Sequence, residues 1–179
     1  MTANVRELLD VATALLVADP GASLADIAAA AGVSRTTIHN RYPTRQDLLV
    51  ALALDGMDLV EVAYQDARLD EGDPVEALER LIVGLVPLGS RLEFLLRERS
   101  LDGVEEVEQR YAVLDAPVVA LIERMRAVGL VSDGLPTWWV VEAAFGTVYA
   151  AWAAIADGRL ARRDAPDLVC RTILLGCQP

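Results

Sequence analysis

Apolar residues recur in this chain at steps of three and four from one end to the other, and no stretch keeps the two-residue alternation of a half-buried strand. Val5, Leu8, Leu9, Ala12, Leu15 and Leu16 trace the first such face, which Asp19-Pro20-Gly21 ends. Start and stop signals divide the rest in the same way. Ser23-Leu-Ala-Asp26 reads as a capping box for a short helix stopping at Gly32, and Ser34 caps a third helix that must end before Pro43. Thr44-Arg-Gln-Asp47 is a second box, for a helix reaching about Ala67 with Leu48, Leu52, Leu59, Val60 and Ala63 inward. After the break at 70–74, with Pro74 at a helix N1 position, Val75, Leu78, Leu81, Ile82, Leu85 and Val86 form the next stripe. Ser90-Arg-Leu-Glu93 reads as a third capping box. One longer helix over 102–128, bent at Pro117 and closed by Gly129, and two more at about 136–157 and 166–176 complete the chain. The expected fold is all-α, with about nine helices.

A length of 179 residues fits one domain, or a small domain joined to a larger one, and an apolar fraction of 54% against 24% charged excludes a disordered chain. Asp, Glu or Arg interrupts every apolar stretch before the ~18 residues of a membrane span, and the first residues lack the basic and apolar regions of a secretory signal. The expectation is a soluble, cytoplasmic protein with no membrane partner. The formal charge of -11 argues against nucleic acid only when averaged, because residues 1–50 carry -1 and residues 51–179 carry -10. Residues 27–46 hold Arg35, Arg41, Arg45 and the only His, without an acid, and such a stripe can serve as an electrostatic footprint. Cys170 and Cys177 stand seven apart in a helical segment, roughly 10 Å, which excludes a disulfide between them and favours buried free thiols. Two Cys and one His are too few for a zinc site of those ligands within one chain, and no metal or cofactor is expected.

Residues 23–42 form a unit: two short helices around a Gly, with Ile27, Ala31, Val33 and Ile38 spaced to pack against the first helix. The second short helix then presents Arg35, Thr36, Thr37, His39, Asn40 and Arg41, a polar face over an apolar underside, as a helix entering the major groove requires. Arg can pair with guanine, Asn with adenine, and a Thr methyl can touch thymine; Arg41 and Arg45 fit phosphates.

The run Ile27-Ala28-x-x-Ala31-Gly32-Val33-Ser34, followed by Thr37-Ile38-His39-Asn40-Arg41-Tyr42-Pro43-Thr44-Arg45-Gln46-Asp47-Leu48-Leu49, resembles the TetR family of bacterial transcriptional regulators in order and spacing. The resemblance covers about the first 50 residues. It implies a helix-turn-helix DNA-binding domain at 1–46 and a helical ligand-binding and dimerisation domain at 47–179. It also implies that Arg35, Thr36 and His39 reach bases or the adjoining backbone, and that Ser23, Thr37, Asn40, Arg41 and Arg45 lie near phosphates. The chain departs from the family pattern at His39, where Tyr is usual, at Asn40-Arg41, where an aromatic followed by His is common, and at Tyr42, which replaces a frequent Phe and reads as a packing residue.

In the body, Trp138, Glu142, Phe145, Tyr149 and Trp152 form an aromatic stripe with one carboxylate, either core or the wall of a pocket for a flat or bulky apolar effector. Phe94 and Tyr111 sit on helices that could join it. Glu142 either faces that pocket, where it would favour a cationic or hydrogen-bond-donating ligand, or faces solvent. Trp139, Ala143, Gly146, Ala150 and Ala153 form a small-residue face suited to a second helix, and Leu168, Ile173, Leu174 and Leu175 offer further interface candidates. Two-fold DNA half-sites ask for a homodimer on a palindromic operator of double-stranded DNA. No nucleophile elbow, P-loop or dinucleotide fingerprint occurs, so no enzyme is expected. The reading is a dimeric repressor released by a small apolar ligand; the alternatives are an all-helical enzyme and a protein-binding adaptor.

Overall fold

The computed structural model describes residues 5–178. Among them the chain forms α1 (Val5–Ala18), α2 (Leu24–Ala30), α3 (Arg35–Arg41), α4 (Arg45–Ala67), α5 (Pro74–Leu85), α6 (Gly89–Arg97), α7 (Glu105–Leu114), α8 (Ala116–Ala127), α9 (Thr137–Ala156) and α10 (Ala165–Cys177), with three single 3-10 turns and no strand. The all-α expectation holds. There is one helix more than expected because the bend at Pro117 is a break: the helical pattern is interrupted at Asp115, and Pro117, which has no N–H to donate, opens α8 in its first turn.

The chain divides into two compact units, residues 1–58 with 90–110 and residues 59–89 with 111–179. In the first, Leu8, Leu9, Ala12 and Leu16 of α1 are buried with Ile27, Ile38, Leu48 and Leu52, the last four without exposed surface. Two of the three expected boxes form: Ser23 Oγ accepts from Asp26 N at 3.2 Å while Asp26 Oδ2 accepts from Ser23 N at 2.9 Å. Thr44 and Asp47 make the same exchange at 3.1 and 2.8 Å. Gly32 takes φ +65 between α2 and α3, the left-handed position that ends a helix at least cost in a residue without Cβ. A buried guanidinium ties the unit together. Arg91 donates to the Leu9 carbonyl at 3.0 Å and to the Thr13 hydroxyl, and pairs with Asp10 at 2.5 Å and Asp55 at 3.0 Å.

The Ser90–Glu93 capping box does not form. A 3-10 turn at Val86–Leu88 runs straight into α6, so Ser90 lies inside the helix, with no extended residue there to act as a cap. Glu93 is instead buried and pairs with Arg97 at 2.5 Å.

In the second unit α9 packs against α10 and α8, and α10 and α8 pack against α5. Asp73 caps α5, accepting from Val75 N at 2.8 Å, with Pro74 in the first turn as expected. A Cβ on Gly84 would stand 3.2 Å from Ala63 Cβ, so this glycine sets the close approach of α5 to α4. Cys170 and Cys177 are free and buried, and burial pushes the Cys170 thiol up to about 12. Helix α9 qualifies the membrane expectation. Glu142 interrupts it, yet at 20 residues and a mean hydropathy of 1.4 it is long and apolar enough to cross a bilayer, and only 22% of that span is buried.

Candidate nucleic-acid interface and effector face

The short α3 is held by its ends and by one side chain. Ser34 Oγ accepts from Thr37 N at 3.0 Å and lies 2.8 Å from the Thr37 hydroxyl, and Ile38 is fully buried beneath. Arg35, Thr36, Thr37, His39, Asn40 and Arg41 are all exposed, so the expected polar face stands free of the unit's own core. Tyr42 is buried, the packing residue that the sequence suggests, and desolvation raises its phenol above the ordinary value. Ser23, at the start of α2, is exposed, but its hydroxyl also donates to Asp26 at 2.6 Å. That bond and the box hold the Asp26 carboxyl below its usual value.

Arg45 does a job that the sequence does not show. Its Nη2 donates to the Pro20 carbonyl at 2.7 Å and its Nε to the Ala22 carbonyl at 3.5 Å, fastening the start of α4 to the turn between α1 and α2. Gln46 Nε2 donates to the Ser100 carbonyl at 3.2 Å beside it.

The candidate effector residues are not gathered into one group. Phe94 is buried in the first unit, whereas Tyr111, Trp138, Glu142, Phe145, Tyr149 and Trp152 belong to the second. Along α9, Trp138 is 64% exposed and meets Trp139 edge-on at 5.8 Å, while Tyr149 and Trp152 stack at 6.4 Å. Trp152 is seated against Gly89, where a Cβ would collide with the indole at 1.6 Å. Glu142 is exposed, and Phe145, Tyr149, Trp152 and Tyr111 are half-buried. The small-residue face of α9 is open too: Trp139 is 53% exposed, Ala143, Gly146 and Ala150 are exposed, and nothing lies within 4 Å of a Cβ built on Gly146. Leu168 and Leu175 of α10 are also exposed.

Two residues of the second unit carry polar groups of note without having been singled out in the sequence. Tyr64 on α4 is 4% exposed, and its hydroxyl is buried with no hydrogen-bond partner. Asp115 is the N-cap residue of α8 yet makes no side-chain cap bond; burial, then the charge of Glu142, pushes its carboxyl up. The signal available in the sequence was Asp115-Ala-Pro117, an acid placed just before a helix-opening proline.

The family model for bacterial regulatory proteins of the tetR family matches residues 8–52. The HTH-type transcriptional repressor LfrR of Mycolicibacterium smegmatis is 32% identical over 171 residues, covering 96% of this chain and 88% of that protein. The HTH-type transcriptional regulator NfxB of Pseudomonas aeruginosa is 39% identical over a shorter stretch, 42% of this chain and 41% of its own length. Among solved structures, LfrR in complex with proflavine superposes with a TM-score of 0.79 at 31% identity, over 97% of this chain and 96% of that one. PfmR of Thermus thermophilus shares the fold, with a TM-score of 0.75 at 16% identity over 96% of this chain and 99% of its own. With one relative similar along nearly its whole length and the family's model matched from α1 into the start of α4, the chain belongs to the TetR family of bacterial regulatory proteins.

Proposed function

We propose that this helix-turn-helix regulator is a cytoplasmic repressor that binds a palindromic operator as a homodimer and leaves it when a flat aromatic molecule binds the body. It is not an enzyme in this reading. The observation that carries it is the free face of α3: six hydrogen-bonding side chains exposed over one buried Ile38. Arg35, Thr36 and His39 read base edges, while Ser23, Thr37, Asn40, Arg41 and Arg45 serve the backbone. Ser23, Thr37 and Arg45 do so from positions fixed by their own internal bonds. Residues 1–46 act as the DNA-binding part and residues 47–179 as the effector and dimer part.

The open α9 face through Trp139, Ala143, Gly146 and Ala150, with Leu168 and Leu175 of α10, is covered by the second copy rather than by lipid. The effector meets the stripe Trp138, Glu142, Phe145, Tyr149 and Trp152 with Tyr111. The relative solved with proflavine supports an aromatic effector. Footprinting on the DNA upstream of the protein's own coding sequence tests the reading. The expected result is a protected two-fold site with half-sites about one helical turn apart and binding that weakens steeply with salt. Binding that ignores sequence, or none at low salt, overturns it.

A further inference from the structure

Tyr64 of α4 is 4% exposed, and among the described residues its hydroxyl has no hydrogen-bond partner. Buried polar groups in folded proteins are nearly always satisfied, so an orphan of this kind asks for a partner from outside the chain. The same residue lines a cavity of about 570 Å³ at the end of α4, where the turn after α4 meets the end of α7 and α8, all within the second unit. That volume lies in the range of small-molecule sites.

The α7 and α8 side of the lining is apolar and uncovered. Val113 is 64% exposed, and Pro117 and Ala120 are exposed as well. The charged lining is near balance, Arg68 and Arg124 against Glu61, Asp70 and Glu71. Arg68 pairs with Glu71 at 3.2 Å, and Arg124 donates to the Leu69 and Gly72 carbonyls. From α5, Arg80 donates to the carbonyls of Ala67, Arg68 and Glu71. These guanidiniums are spent on the turn itself. They hold the rim in place before any ligand arrives and offer no surplus positive charge to an anion. Asp70 and Glu71 are exposed, where water and salt screen their pull on a cation. Burial raises the Tyr64 phenol above its ordinary value, so it stays neutral and able to donate.

We infer that this cavity is a second ligand site, apart from the α9 stripe, for an uncharged apolar molecule carrying one oxygen acceptor, such as a ketone or an ester. The Tyr64 hydroxyl donates to that oxygen, which gives the orphan its partner. The apolar body of the molecule covers Val113, Pro117 and Ala120. The single polar contact supplies selectivity, because an analogue without the oxygen leaves the buried hydroxyl unpaired. The site stands whether or not the α9 stripe takes an effector.

Four probes that share one naphthalene ring test the site: methyl naphthyl ketone, ethylnaphthalene, naphthoate and naphthylmethylammonium. Each is titrated into the full chain and followed by two-dimensional amide NMR, which reports affinity and place together. The ketone should bind about tenfold more tightly than the ethyl compound of the same shape, the scale of one hydrogen bond to a buried group. Both charged probes should bind more weakly than the ketone. The largest amide shifts should fall in residues 61–71 and 113–124 rather than in α9. Tyr64→Phe should bring the ketone down to the affinity of the ethyl compound. Without a probe, that variant should melt no lower than the wild type, because it removes a hydroxyl that has no bond to lose. Ala120→Trp fills the cavity from an exposed position and should weaken both neutral probes by about tenfold or more, which decides the matter if Tyr64→Phe fails to fold. A preference for the ketone that survives Tyr64→Phe, a clearly lower melting temperature of that variant, or neutral-probe binding unchanged in Ala120→Trp overturns the inference. A charged probe that binds more tightly than the ketone, or shifts confined to α9, overturns it too.

Discussion

Arg35 and Arg45 are ten residues apart and both sit at the start of a helix, but they have different tasks. Arg35 is exposed and makes no hydrogen bond among the described residues, so its fork is available to a guanine edge. Arg45 is half-buried and already holds the Pro20 and Ala22 carbonyls. Arg35→Ala should therefore keep the melting temperature and relax specificity at one position per half-site, at a cost of about 1–3 kcal/mol. Arg45→Ala should lower the melting temperature and weaken every sequence alike. The pair is checked by thermal melts and a panel of single-base operator variants. Equal discrimination by wild type and Arg35→Ala would remove Arg35 from base reading. The polar face of α3 is legible in sequence because all its parts lie within 20 residues. The role of Arg45 is not, since it depends on where the turn before α2 comes to rest.

At the scale of elements, the chain's local signals are reliable where a bond closes within one turn. The boxes at Ser23–Asp26 and Thr44–Asp47 form because each is complete in four residues. Ser90-Arg-Leu-Glu93 has the same spelling and fails, since the preceding 3-10 turn already carries the backbone into helical conformation. Pro117 was legible as a disturbance but not as a break, which depends on the chain turning at Asp115. The two boxes that form have a pH signature. Hydrogen bonds from Ser23 and Thr44 hold the Asp26 and Asp47 carboxyls below their ordinary 3.8, so the folded state binds their protons less readily than the unfolded chain. Their stabilisation is complete above 3.8 and is lost as pH falls through the lower folded values. Both acids are fully exposed, so the effect is local and modest. Amide exchange in the first turns of α2 and α4 should quicken on acidification relative to α1, after correction for the intrinsic rate. Asp26→Asn and Asp47→Asn should flatten that dependence at their own helix, and an unchanged profile in either would break the link to its box.

For the whole molecule, the question is how an acidic protein with a formal charge of -11 holds DNA, and what covers its most apolar helix. The first 50 residues carry only -1 of that charge, so the segment that holds the recognition helix adds little repulsion of its own. Helix α9 leaves Trp139, Ala143, Gly146 and Ala150 uncovered along one side, and α10 leaves Leu168 and Leu175. Small residues permit a close helix pair, and a two-fold axis through that face would cover the same surface on both copies at once. A Glu placed there would be desolvated against its own symmetry mate, which is repulsive twice over. Ala150→Glu should therefore give a folded monomer, because the position is exposed within one copy and tolerates the side chain there. Each monomer would reach a single half-site, and operator affinity should fall to near that of non-specific binding, about 10³-fold or more weaker. Sedimentation equilibrium gives the mass and circular dichroism the fold. A folded Ala150→Glu that still sediments as a dimer would move the interface away from α9.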